Sequence, residues 1–160
     1  MSRNMSQLFV TAMAAVAIGL FSAGDARADV TATCNFLEIS ASSGDPASMP
    51  AELKPLAKKL KRPPFSSWNR FQLLSSSEKS LPKLVAQTLQ LSNGKAEVLL
   101  RDIVQGNGKR ARISFSVTID DQNGKRVVDT KANVDGGDYF VVGRSLPNND
   151  GHLLAMTCRL

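Results

Sequence analysis

His152 is the only histidine in the 160-residue chain, so any imidazole chemistry has to run through it. A zinc site of the usual kind needs several His or Cys ligands. One histidine and two cysteines, Cys34 and Cys158, do not supply them. A Ser–His–Asp hydrolase needs a serine on a sharp turn beside the imidazole, and no G-x-S-x-G is present. Next to the turn signal at 147–151, His152 reads as an exposed polar residue. Asp120 and Asp121 are adjacent carboxylates at a hairpin end. There they read as solvated turn residues rather than as the acid and base of a glycosidase. Gly106 and Gly108 lack the Lys-Ser/Thr and helix that complete a phosphate loop, and turn formation accounts for them. The expectation is a non-enzymatic protein with no metal and no cofactor. A small hydrolase using His152 is the third of three functional readings.

The cysteines are more informative than the histidine. In an oxidising compartment an even pair most simply forms one disulfide, and without a C-x-x-C no redox role is expected. A Cys34–Cys158 bridge closes a loop of over 100 residues. The chain-entropy model assigns such a loop about 4–5 kcal/mol. It also requires the first and last strands to be neighbours.

The compartment is written at the N-terminus. Arg3, the apolar stretch 8–21 and the A-x-A of Ala26-Arg27-Ala28 read as a secretory signal peptide over 1–28. Cleavage after Ala28 leaves 29–160 as one β-rich domain, periplasmic or secreted, in a Gram-negative-like envelope. The apolar stretch is short against the roughly 20 residues that a spanning helix needs. No later stretch is longer, so no transmembrane segment is expected after cleavage. The remaining chain keeps 18 basic and 13 acidic residues, a net charge of +5. That excess suits an anionic envelope surface or an acidic partner. Export argues against nucleic acid as a partner.

Positioning these groups falls mainly to strands. Val30, Ala32, Cys34 and Phe36 alternate with polar residues and predict a first strand over 30–40. Residues 41–46 are a loop by composition. Leu53, Leu56, Ala57 and Leu60 recur at helical spacing and predict one short helix over 51–61. Pro50 suits its first turn. Pro55 conflicts with it unless it lies among the first four positions. Lys58, Lys59, Lys61 and Arg62 crowd its last turn, where cations complement the helix dipole, and Pro63-Pro64 ends it. The stretch 65–74 predicts a second strand and 75–80 a polar connection. Beyond it, turn signals at 93–94, 106–108, 121–124, 135–137 and 147–151 separate strands over 84–91, 95–104, 112–120, 125–134, 138–143 and 152–160. The fold class expected is α+β, mostly β: an antiparallel meander or sandwich with one short helix. A disulfide should join its N- and C-terminal strands.

Residues 60–74 are the most idiosyncratic. A basic run and two prolines precede aromatics at 65, 68 and 71. One reading is a rigid connector whose aromatics cap the core. The other is an aromatic and basic binding surface made by Lys58, Lys59, Arg62, Phe65, Trp68, Arg70 and Phe71, since Trp and Arg are typical interface anchors. With the strand and Leu/Lys-rich helix before it and the β-rich tail after it, this PPFSS-aromatic segment resembles a signature of uncharacterised exported bacterial proteins. The resemblance covers most of the chain after the leader and implies a compartment and a fold type, but no reaction. Separately, residues 127–130 (VVDT) and 134–143 (VDGGDYFVVG) are similar to strand–turn–strand patterns of outer-membrane secretins. The chain is far shorter than a secretin subunit, and this likeness implies envelope assembly. The function expected is a non-enzymatic periplasmic accessory or binding protein of a bacterial envelope assembly, with an envelope protein as partner. The alternative is a stand-alone module for an anionic small molecule or polysaccharide. The residues leave the oligomeric state open.

Overall fold

A computed structural model describes residues 30–160. The leader read at 1–28 lies outside the described residues. Among them, eight strands form two antiparallel sheets: β1 (Thr31–Ser42), β2 (Arg70–Pro82), β3 (Ala86–Leu91), β4 (Gly94–Val104), β5 (Arg112–Asp120), β6 (Arg126–Asp135), β7 (Tyr139–Ser145) and β8 (Gly151–Arg159). The first sheet has the order β2-β1-β8-β7 and the second the order β3-β4-β5-β6. Local turns build the second sheet as a meander. The first depends on the pairing of β1 with β8, the two ends of the described fold. That pairing sets Cys34 opposite Cys158 at a Cα separation of 4.1 Å, joined by the expected disulfide.

Strand alternation decides what each face buries. Ala32, Cys34 and Phe36 of β1 meet Leu154, Met156 and Cys158 of β8 on the face toward the second sheet. Ile113, Phe115, Val117 and Ile119 of β5 face them. Phe115 and Phe140 pack edge-to-face at 5.4 Å, a geometry that aromatic quadrupoles favour. The opposite face of the first sheet, with Ile39, Ala41, Leu153 and Ala155, is covered by Leu53, Leu56, Leu60, Trp68 and Phe71. The first sheet is thus the middle of three layers. This explains the nearly continuous burial of β8 from Gly151 to Met156, because a strand covered on both faces has no solvent side to keep polar.

The expected short helix is present, and its first half is tighter than an α-helix. A 3-10 segment, Ala51–Leu56, runs into one α-turn, α1 (Ala57–Leu60). Pro55, fifth in the segment, has no N–H to donate to a carbonyl one α-turn back, and α geometry begins only after it. Residues 65–74 are not one strand. A second 3-10 turn, Phe65–Ser67, precedes β2. The polar run 75–80, expected as a connection, is the body of β2, which pairs with β1 from Pro82 back to Ser75. An edge strand can carry Ser, Glu and Lys because much of it faces water. Its register shifts at Leu74, which bulges between Leu73 and Ser75. Leu84, expected to open the next strand, takes φ +63° in the turn before β3 and is exposed.

Candidate functional site

The structure distributes the seven candidate binding residues over four places. Trp68 and Phe71 are buried under the helical layer. The Trp68 ring lies on Gly151, about 2.9 Å from where a Cβ would stand, so only glycine admits it there. Its Nε1–H donates to the Asn149 carbonyl at 2.7 Å. Both aromatics therefore cap the core. They reach the surface as the floor of a groove of about 510 Å³, shared with Met49 and rimmed by Lys54 and Lys61, and Phe71 also borders the groove that Arg70 lines.

Lys59, Arg62 and Phe65 come together on the other flank of the helical layer. With Pro63 and the β7 residues Tyr139, Phe140 and Val141 they line a cleft of about 240 Å³. Lys59 Nζ lies 3.2 Å from Asp138 Oδ2, and Asp138 Oδ1 accepts the Tyr139 N–H at 2.8 Å. That N–H, aided by Lys59, holds the Asp138 carboxyl below its ordinary range, although burial pushes the other way. Lys58 is exposed on α1. Arg70 is elsewhere, at the start of β2, folded over Gly44. With Ser40, Ser42 and Gln72 it lines a polar groove of about 460 Å³.

The charge of the chain is concentrated on this layer. Of the 18 basic and 13 acidic residues in 29–160, six basic and one acidic lie within 47–71, which leaves twelve of each sign elsewhere. The net excess of +5 therefore belongs to this stretch, four of it on the layer that covers one face of the first sheet and the remainder at Arg70, the start of β2.

A polar cluster sits at the end of the interlayer core, and sequence reasoning missed it. His152, expected to be exposed beside its turn, is 4% exposed, and Glu38 is 3% exposed. His152 Nε2 lies 2.7 Å from Glu38 Oε1. The same oxygen accepts the Ser92 N–H at 2.7 Å and the Ser92 hydroxyl at 2.6 Å, and Oε2 accepts the Ser75 hydroxyl at 2.9 Å. Burial raises the Glu38 pKa, but hydrogen bonds from Ser92, His152 and Ser75 together outweigh it and leave the carboxyl below its ordinary value. A signal was available. Glu38 continues the buried alternation Ala32, Cys34, Phe36, and His152 continues Leu154, Met156, Cys158 in reverse. A carboxylate and an imidazole at core positions ask for each other.

The connectivity argues against acyl transfer. A nucleophilic serine must give its proton to the imidazole, whereas here the carboxylate is the hub and takes the hydroxyl of Ser92 directly. The arrangement links β1, β2, β8 and the β3–β4 turn, so it fastens one sheet to the other. Beside it, Arg144 of β7 is in register with His152, and its buried Nε has no hydrogen-bond partner among the described residues. Among those residues, no group of three or more His, Cys, Asp or Glu side chains could hold a metal ion, and no helix is long and apolar enough to cross a membrane. No protein-family model, curated protein or solved structure matches the chain.

Proposed function

We propose that the protein is a non-enzymatic accessory or binding protein of a bacterial envelope assembly, and that it docks an acidic partner protein through its basic helical layer. The observation that carries this reading is the confinement of the whole net positive charge to residues 47–71. Opposite charge steers encounter and fixes register at an interface, and the aromatic-floored grooves on either flank of the layer offer places for apolar anchors. A periplasmic location is supported by the secretory pattern of 1–28 and by the Cys34–Cys158 disulfide, a bond that persists in oxidising compartments. The resemblance of residues 60–74 to exported bacterial proteins points the same way.

The test is an in-cell crosslinking pulldown of the tagged protein against the triple variant Lys58→Glu, Lys61→Glu, Arg62→Glu. All three positions are exposed, so the variant should fold. A stoichiometric partner held by the native protein and lost by the variant is the expected result. Equal capture by both would overturn the assignment. A second reading, a module for an anionic small molecule or polysaccharide, is supported by the positive excess of the chain and by Arg144, half-buried on β7. Salt-sensitive glycan binding that survives the triple variant but not Arg144→Gln would select it.

A further inference from the structure

The sandwich has four strand edges, and two of them, β3 and β7, lack charge, proline and bulge over most of their length. An edge strand offers a row of unpaired N–H and C=O groups, which proteins protect with charges, proline, bulges or short length. The β2 edge has a bridge from Ser48 to Arg70, a bulge at Leu74, charges at Glu78 and Lys79, and Pro82. The β3 strand, six residues long, is equally plain, and what sets β7 apart from it is the cleft of Lys59, Arg62 and Phe65 along its start. The β6 strand carries Arg126, Asp129, Lys131 and Asp135. In contrast β7 begins Tyr-Phe-Val-Val-Gly, without charge or proline and without a bulge in its register to β8.

The phase of the β7–β8 ladder tells which main-chain groups point outward. Leu146 N–H donates to the Asp150 carbonyl at 2.7 Å, one step beyond the Ser145–Gly151 pair. Antiparallel pairs alternate between bonded and non-bonded, so Phe140, Val142 and Arg144 bond to β8. Tyr139, Val141 and Gly143 then present their N–H and C=O groups to the free side. The Tyr139 N–H is already taken by a carboxylate, that of Asp138, which also pairs with Lys59.

We infer that the β7 edge accepts an extended acidic segment of a partner protein by strand addition, with the partner's main chain pairing to Val141 and Gly143. Its carboxylates meet Lys59 and Arg62, and an apolar side chain rests on Phe65. This rests on the acidic-partner reading above and gives it a place and a mode. Charge selects the occupant. A second copy would bring its own Lys59, Arg62 and Arg144 against the same cations, whereas an acidic strand neutralises them.

The experiment measures amide exchange and amide NMR shifts of the disulfide-bonded protein as isolated from cells. The probe is a short end-blocked peptide alternating valine with glutamate, and a valine–lysine peptide is the control. Expected are slowed exchange at Val141 and Gly143 with the glutamate peptide only, and affinity at least about tenfold weaker in Val141→Pro than in Val141→Thr. Proline at 141 removes an outward N–H and no bond to β8. Should Val141→Pro fail to fold, exchange in the native protein decides alone. Shifts confined to 47–71 without protection at 141 and 143 would overturn strand addition and leave the docking layer standing. Protection that grows with protein concentration without peptide would overturn the acidic partner in favour of a second copy. No shift anywhere, with equal capture by the triple variant, would remove both proposals.

Discussion

The first sheet is closed on its two faces by different means. Toward the second sheet its apolar core is reinforced by bonds. The Cys34–Cys158 disulfide crosses its two central strands, and Glu38 gathers His152, Ser92 and Ser75 at the rim. Toward the helical layer it is closed mainly by packing, with Leu53, Leu56, Leu60 and Trp68 set on Ile39, Leu153 and Gly151, and by few polar ties such as Trp68 Nε1–H to the Asn149 carbonyl and Lys59 to Asp138 at its margin. Residues outside 47–71 carry balanced charge, while the surplus lies within 47–71, five basic residues and one acidic on the helical layer and Arg70 at the start of β2. A layer held by apolar contact can shift by small amounts at little cost, and low-stability elements are where binding usually resides. The bonded half is the scaffold of the molecule, and the packed layer is its adaptable face.

That contrast can be broken from either side. Replacing both cysteines by serine releases a constraint spanning 124 residues, worth about 5 kcal/mol in the chain-entropy model. Denaturant unfolding should then lose its midpoint at moderate concentrations, and a loss below about 1 kcal/mol would mean that the bridge is ornamental. Trp68→Ala should cost about 3–5 kcal/mol as a core truncation. Here the sharper readout is hydrogen exchange: protection should fall first at 53–60 and only later in β4 and β5. Simultaneous loss in both would contradict the division into scaffold and cover. Glu38→Gln should cost about 1–3 kcal/mol, because donors aimed at a carboxylate are left facing an amide.

The same substitution tests the pH dependence. The folded-state pKa of Glu38 lies below its ordinary 4.5. Its contribution is therefore fully present above that value and disappears as pH falls through the folded pKa. Acid unfolding of the native protein should be steeper than that of Glu38→Gln, and parallel acid profiles would show that the carboxylate is not the group titrating. The smallest effect is expected from Lys58→Glu with Lys61→Glu, within about 0.5 kcal/mol in stability, since exposed charges away from special features matter little to folding. Binding should nevertheless be lost, and a large drop in thermal midpoint instead would make those lysines structural.

The second sheet was almost fully legible in the sequence because its information is local. Asn93-Gly94 and 121–124 are turn chemistry, and Ile113 to Ile119 states its buried face by period two. The side-by-side pairing of β1 with β8 followed from the cysteines. The layer 47–71 was less legible. Its apolar spacing is helical, but Pro55 and Pro63-Pro64 divide it, and aromatics spaced by three fit neither a strand nor one helix. The Ser75-to-Ser80 run looked like a connection because an edge strand half in water need not alternate. Glu38 and His152 lie 114 residues apart, and their link becomes visible only when β1 and β8 are set in register.

The placement of β1 has a consequence for how the chain is made. Its partner on one side, β8, is the last of the eight described strands in chain order, so the centre of the first sheet stays open until residues 151–159 have emerged. The meander of β3 to β6 needs only near neighbours and can close earlier. Through that interval Cys34 is an unpaired thiol on an unsatisfied strand, available to oxidants and to other cysteines. Nascent chains halted before Gly151 should react fully with a thiol reagent at Cys34, and completed chains should not.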